Sequence, residues 1–217
     1  MPASTLILKT RDFVENQLAG DGSGHDWWHI FRVWNTARTL ADAEGAHRPT
    51  VELSALLHDI ADWKFHDGDE EAGPRKARQW LTGIGADPAL VDAVGEIIST
   101  LSYKGAGVET PMQTLEGKVV QDADRLDAIG AMGIARAFAY GGHKNRLIYH
   151  PDEPPVLHQS FEDYKNNRGH TINHFYEKLL LLKNRMNTPT GKSLAEERHR
   201  FMEIYLQQFF REWNGIA

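Results

Sequence analysis

The stretch Ala55-Leu56-Leu57-His58-Asp59-Ile60-Ala61-Asp62 constrains this chain more than any other. Leu56, Leu57 and Ile60, with two alanines, call for burial, yet an adjacent His-Asp pair sits among them. A buried charge is costly unless it is paired or bound to a metal. For an imidazole beside a carboxylate, a divalent cation is a ready partner. Such a cation needs further nitrogen and oxygen ligands from other segments. His29 upstream and Asp124 downstream supply them.

The 217 residues suffice for one substantial domain or two small ones. There are no cysteines, so disulfides, Cys-ligated zinc and thiol catalysis are excluded. Leu6-Ile7-Leu8 is too short for a signal-peptide core, and no apolar run reaches the roughly 20 residues of a membrane span. A soluble, cytoplasmic chain without a membrane partner is expected. The net charge of -6 argues against a long nucleic acid as partner. It leaves room for a small phosphorylated ligand in a local basic pocket.

Apolar periodicity predicts helices nearly throughout. Ser4 or Thr5 is expected to cap a first helix to about Leu18, with Ile7, Val14 and Leu18 inward. Asp26 caps a second, from Trp27 to Glu44, closed by Gly45 and burying Val33, Ala37 and Leu40. The third starts near Pro49-Thr50 and carries His58-Asp59 in its last turns. Pro74 suits the first position of the next helix, and Asp87-Pro88 opens one to about Leu101. Leu115 to Ala128 reads as helix, then Ala131 to Tyr140, ended by Gly141-Gly142. His143 to Gln159 is irregular, with Pro151, Pro154 and Pro155. A helix from about Thr171 to Arg185 follows. The last runs to about Trp213, capped by Thr190 or Ser193, with Leu194, Phe201, Tyr205 and Phe209 inward. No strand or repeat is expected. The reading is all-α, a single globular helical bundle over 1–217. Its metal-binding core spans about 20–140, with C-terminal helices at about 160–214 packing on it.

Neighbouring helical positions differ by about 100°. His58 and Asp59 can thus reach one ion only if it lies beside the helix, between their two directions. Two imidazoles and two carboxylates without thiolate suit Mn²⁺, Mg²⁺, Fe²⁺, Co²⁺ or Zn²⁺, with positions open to water.

His29, then His58-Asp59, then Asp124 within Asp-Ala-Asp-Arg-Leu-Asp resembles the H…HD…D signature of the HD-domain superfamily of metal-dependent phosphohydrolases. The strings around them resemble a bacterial YedJ/YpgQ-like subgroup: His25 to Val33, Leu56 to Asp62, and Val120 to Gly130. So do His174 to Leu179, Met186-Asn187-Thr188 and Glu197-Arg198-His199, so the resemblance covers nearly the whole chain. It implies an all-helical HD-domain fold and one divalent metal ion. The activity implied is hydrolysis of phosphate esters or anhydrides, in the nearest members nucleoside triphosphate pyrophosphohydrolysis. It implies His29, His58, Asp59 and Asp124 as metal ligands. Two-metal members carry two further histidines between the HD pair and the last Asp; only His66 stands there, which favours one ion.

Asp62, three residues after Asp59, is the expected general base or proton shuttle. Its bland alternative is a helix end or a pair with Lys64. Asp127 is expected to orient a ligand histidine, or to be the ligand itself with Asp124 in support. Arg32, Lys64, Lys104, Arg125, His143 and Lys178 are the candidate substrate-binding groups. Trp27, Trp28, Phe138 and Tyr149 could stack on a base, though core packing is the commoner fate. The expected partner is a nucleotide, and a homodimer is allowed. Competing readings are a nucleoside monophosphate phosphatase, a metal-bound nucleotide sensor without turnover, and di-iron oxygen chemistry, which the shortage of extra ligands disfavours.

Overall fold

The computed structural model describes residues 1–18, 26–61, 69, 71–101, 103, 107–157, 162 and 169–216. Among them every regular element is helical, as the sequence predicts. In order these are α1 (Ala3–Gln17), α2 (Trp27–Glu44), α3 (Arg48–Leu57), α4 (Ala72–Gly83), α5 (Pro88–Thr100), α6 (Leu115–Asp127), α7 (Gly130–His143), α8 (Thr171–Glu177), a 3₁₀ helix (Leu179–Arg185) and α9 (Pro189–Trp213). None of the described helices is long and apolar enough to cross a membrane. The chain divides into two compact units, 1–103 with 109–124, and 104–108 with 125–217.

In the first unit the local signals act where expected. Asp26 caps α2 by accepting from the His29 amide at 2.9 Å, and Gly45 closes it in the left-handed region. Asp87 caps α5 through the Ala89 amide, with Pro88 in the first turn. Val33, Ala37 and Leu40 are fully buried, as is most of α3. One buried carboxylate braces these two helices. Glu52 accepts from Trp34 Nε1 at 2.8 Å and from Arg48 Nε at 3.1 Å, so its charge is paired where it would otherwise be costly. In α1 Val14 is buried as expected, but its companions are Leu6 and Thr10 rather than Ile7 and Leu18. Along the same helix, Trp80 of α4 stacks on Phe13 at 3.9 Å and donates to Thr10 Oγ1 at 3.0 Å. Pro2, without a side-chain hydrogen bond, stands at the cap position predicted for Ser4 or Thr5.

The second unit departs further from expectation. The helix predicted to stop at Gly141-Gly142 continues to His143. Gly141 serves close packing instead: a Cβ there would lie 2.2 Å from Thr171 Oγ1. The helix predicted from Thr171 to Arg185 breaks at Lys178 and tightens into the 3₁₀ helix. Leu179 and Leu182, three apart, are its buried pair, and a three-residue turn puts them on one side. α9 is capped by Thr188, which accepts from the Gly191 amide, not by Thr190 or Ser193. Its buried residues are Gly191, Ala195, Met202 and Leu206, while Phe201 is 50% exposed.

The Gly141–Thr171 approach is testable. Gly141→Ala should destabilise the protein by ~1–3 kcal/mol through overpacking, seen as a lower Tm. Adding Thr171→Ala should recover part of that loss, because it removes the clashing oxygen.

Candidate metal centre

Three elements of the first unit bring the ligand atoms together. His29 is the third residue of α2, and its amide is the one Asp26 caps, so the cap fixes the helix start that carries the ring. His58 is the residue that closes α3, one position beyond its last turn, and Asp59 follows in a turn. The pair thus sits just past the helix and not within its last turns. His58 keeps helical dihedrals (φ -60°, ψ -35°), and the Ile60 amide donates to the Leu57 carbonyl at 3.2 Å in the turn that follows. Asp124 lies inside α6.

The atoms converge closely. His29 Nε2 is 3.2 Å from His58 Nε2. Asp59 Oδ2 lies 3.3 Å from His29 Nε2 and 3.6 Å from His58 Nε2. Asp124 Oδ1 lies 3.6 Å and 3.7 Å from the same two nitrogens. For N and O ligands about 2.0–2.2 Å from an ion, tetrahedral to octahedral geometry separates neighbouring ligand atoms by roughly 2.8–3.6 Å. The measured distances run from the middle of that range to just beyond its upper end.

The chemistry of the donor set fits a cation independently of distance. His58 Nδ1 donates to the Ala55 carbonyl at 2.8 Å. A carbonyl only accepts, so this bond leaves Nε2 bare in the neutral ring and aims it at the centre. Bare imidazole nitrogens and carboxylate oxygens repel one another unless positive charge lies among them. Without a metal a proton fills that role. Burial pushes the His58 pKa down, but Asp59, then Asp124, and the Ala55 carbonyl outweigh it and raise it to about 9. Burial likewise opposes ionisation of Asp124, yet pairing with His58 and the charge of His29 hold its carboxyl well below the usual range, against the pull of Asp59. In the metal-free chain the His58 contribution to stability is present below its ordinary value of 6.5 and lost as pH rises through about 9. Metal uptake then releases protons.

The centre is asymmetric. Both imidazoles are 1% exposed, whereas the Asp59 and Asp124 side chains are 17% and 34% exposed. It is sealed on the histidine side and accessible on the carboxylate side. His29, His58 and Asp59 together can hold a divalent ion, and among the described residues they form the one such group.

Supporting contacts appear that no sequence signal marked. Lys76 of α4 donates to the Ile60 carbonyl at 3.4 Å and to Gln17 Oε1 at 3.2 Å, pinning the turn after the HD pair. Gly73 lets α4 approach that turn: a Cβ there would stand 3.3 Å from the Ala61 carbonyl oxygen. These contacts join residues far apart in sequence, so periodicity could not reveal them.

The other expected site residues are placed as follows. Arg32 is half-buried on α2, one turn beyond His29. Asp127 is buried and its Oδ2 accepts from Arg136 Nη1 at 2.8 Å. Arg125 is buried, with its guanidinium donating to the Arg185 carbonyl. His143 is exposed at the end of α7, and Lys178 ends α8; both belong to the second unit. Asp62, Lys64, His66 and Lys104 lie outside the described residues.

Metal binding should stabilise the fold. Mn²⁺ at about 100 times its Kd should add ~2.7 kcal/mol to the unfolding free energy, read as a rise in Tm that a chelator reverses. His29→Ala and His58→Ala should abolish the rise. A chelator-insensitive Tm in the unaltered protein would contradict the centre.

A family model described as HD domain matches residues 27–129. Over 208 residues the chain is 38% identical to YpgQ, an uncharacterised protein of Bacillus subtilis strain 168, covering 95% of this chain and 93% of that one. The crystal structure of YpgQ in complex with ADP matches with a TM-score of 0.78 and 36% identity, over 98% of this chain and 97% of that chain. An HD-superfamily hydrolase from Bacillus thuringiensis matches with a TM-score of 0.76 and 46% identity, over 98% and 99% of the two chains. A Lactobacillus plantarum protein reaches a TM-score of 0.88 at 38% identity, over 99% and 100%. The ligand convergence and these likenesses agree: the chain belongs to the HD-domain superfamily of metal-dependent phosphohydrolases.

Proposed function

We propose that this enzyme is a nucleoside triphosphate pyrophosphohydrolase. Water oxygen bonds to the α-phosphorus, the bond from that phosphorus to the bridging oxygen breaks, and pyrophosphate leaves nucleoside monophosphate behind. One observation carries the reading: two imidazole nitrogens and two carboxylate oxygens, separated by 3.2–3.7 Å at each imidazole, in a centre accessible on its carboxylate side. The ADP complex of YpgQ supports a nucleotide as the phosphorylated ligand here.

His29, His58, Asp59 and Asp124 are the proposed ligands of one divalent ion, with manganese and magnesium the first candidates. When bound, such an ion acidifies water and neutralises charge on phosphoryl oxygens. Asp62 takes the proton of the attacking water as its oxygen bonds to phosphorus. Arg32, one turn from His29, offers a guanidinium to the phosphate chain. Lys64 and Lys104 add countercharge to the leaving pyrophosphate, and His143 and Lys178 are further candidates for it. Arg125, whose guanidinium donates to the Arg185 carbonyl, is a further candidate for substrate contact. Asp127, held by Arg136, supports the helix that carries Asp124.

Incubation with nucleoside triphosphates and Mn²⁺, Mg²⁺, Co²⁺ or Zn²⁺, with products resolved by chromatography, tests this. Pyrophosphate with nucleoside monophosphate is the expected result. Release of orthophosphate and nucleoside from monophosphates alone would make the enzyme a phosphatase instead, and tight nucleotide binding without turnover would make it a sensor. Asp62→Asn should lower turnover about 10²- to 10⁴-fold while metal stoichiometry stays unchanged. Undiminished turnover removes Asp62 from the mechanism.

A further inference from the structure

Of the four aromatic side chains the sequence offers for stacking, the structure employs three in packing. Trp27 is buried. Phe138 lies against Phe175 and Tyr205, with ring centroids 6.1 and 6.2 Å away. Tyr149 meets Phe210 and Trp213 edge-on at 5.3 and 4.9 Å. Trp28 is the exception, 61% exposed although it directly precedes the ligand His29 in α2. An indole left in water gains little from hydrophobic burial, so its stability contribution does not explain it.

Its placement on the helix does. Positions advance by about 100° per residue. Going round α2 from His29, away from the buried stripe of Ile30, Val33 and Ala37, one meets Arg32 at about 60°, Trp28 at about 100° and Phe31 at about 160°. The order outward from the ligand imidazole is therefore guanidinium, indole, phenyl. Phe31, 38% exposed, contacts Trp28 edge-on at 5.9 Å. It is itself flanked by Trp27 at 6.0 Å and Trp34 at 6.4 Å. The exposed indole is thus buttressed against the buried aromatics of the same helix. Trp28 and His29 are consecutive residues of α2, so the indole and the imidazole are carried by adjacent positions of one helix, about 100° apart round its axis.

We infer that Trp28, backed by Phe31, is the stacking platform for the base of the nucleotide whose phosphates meet the metal centre. This rests on the nucleotide phosphohydrolase reading above. It divides the ligand in two: charge is recognised at the metal and Arg32, and the flat base at Trp28. Every base has a π-face, so such a platform is tolerant of base identity.

Calorimetric titration of the Mn²⁺-loaded protein with two probes, ADP and inorganic tripolyphosphate, tests the division. Trp28→Ala should weaken ADP binding about 5- to 150-fold, the range that ~1–3 kcal/mol for one base–aromatic stack converts to. Tripolyphosphate, which has no base, should bind within about twofold of the unaltered protein. Trp28→Phe should restore most of the ADP affinity, and the Tm of both variants shows that they fold. Unchanged ADP binding in Trp28→Ala, or an equal loss for both probes, overturns the platform and leaves the phosphohydrolase reading intact. If the unaltered, metal-loaded protein neither binds nor hydrolyses any nucleotide, the phosphohydrolase reading itself fails.

Discussion

Two imidazole nitrogens held 3.2 Å apart, with two carboxylate oxygens within 3.7 Å of both, form an arrangement that positive charge must hold together. The first unit can be understood as the scaffold that enforces it. The Asp26 cap fixes the start of α2, and the Ala55 carbonyl fixes the tautomer and aim of His58. Glu52, tied to Trp34 and Arg48, joins the helix carrying one histidine to the helix preceding the other. Lys76 holds the turn beyond Asp59. Each contact satisfies a polar group in the interior, so the ligands are preorganised and little movement remains for an incoming ion.

The asymmetry of exposure turns a metal centre into a reactive one. A structural site would bury all its ligands equally. Here the imidazoles are sealed and the carboxylates are reached from solvent, so water and phosphoryl oxygens have one direction of approach. On α2, three residues after His29 and one before it, stand the half-buried Arg32 and the exposed Trp28, a charge and a flat ring. The two parts of a nucleotide differ in the same way.

Much of this was legible in the chain, and the exceptions have physical causes. Local chemistry was read correctly where one residue decides the outcome: the caps at Asp26 and Asp87, the stop at Gly45, the buried stripe of α2. The order His29, His58-Asp59, Asp124 singled out four side chains whose nitrogen and oxygen atoms converge. Asp124 and Asp127 could not be separated in sequence, because three helical residues span only about 60° of rotation; in the structure Asp124 Oδ1 lies near the two imidazoles and Asp127 accepts from Arg136. Stripes were misjudged in α1 and α9. There apolar residues ring much of the helix, and the neighbouring elements choose the inward face, as α3 packed on α1 does. Gly141 read as a helix stop because a glycine required for close packing looks the same in sequence as one required for a turn. The break at Lys178 stands just before a run of four leucines, which periodicity alone cannot divide between α and 3₁₀ winding.

The central claim is that these four side chains grip a single cation. Anomalous diffraction from crystals grown with Mn²⁺ addresses it most directly. The account predicts one strong peak per chain about 2.0–2.3 Å from His29 Nε2, His58 Nε2 and a carboxylate oxygen each of Asp59 and Asp124. No peak there, or a manganese held by Asp127 in place of Asp124, would contradict it.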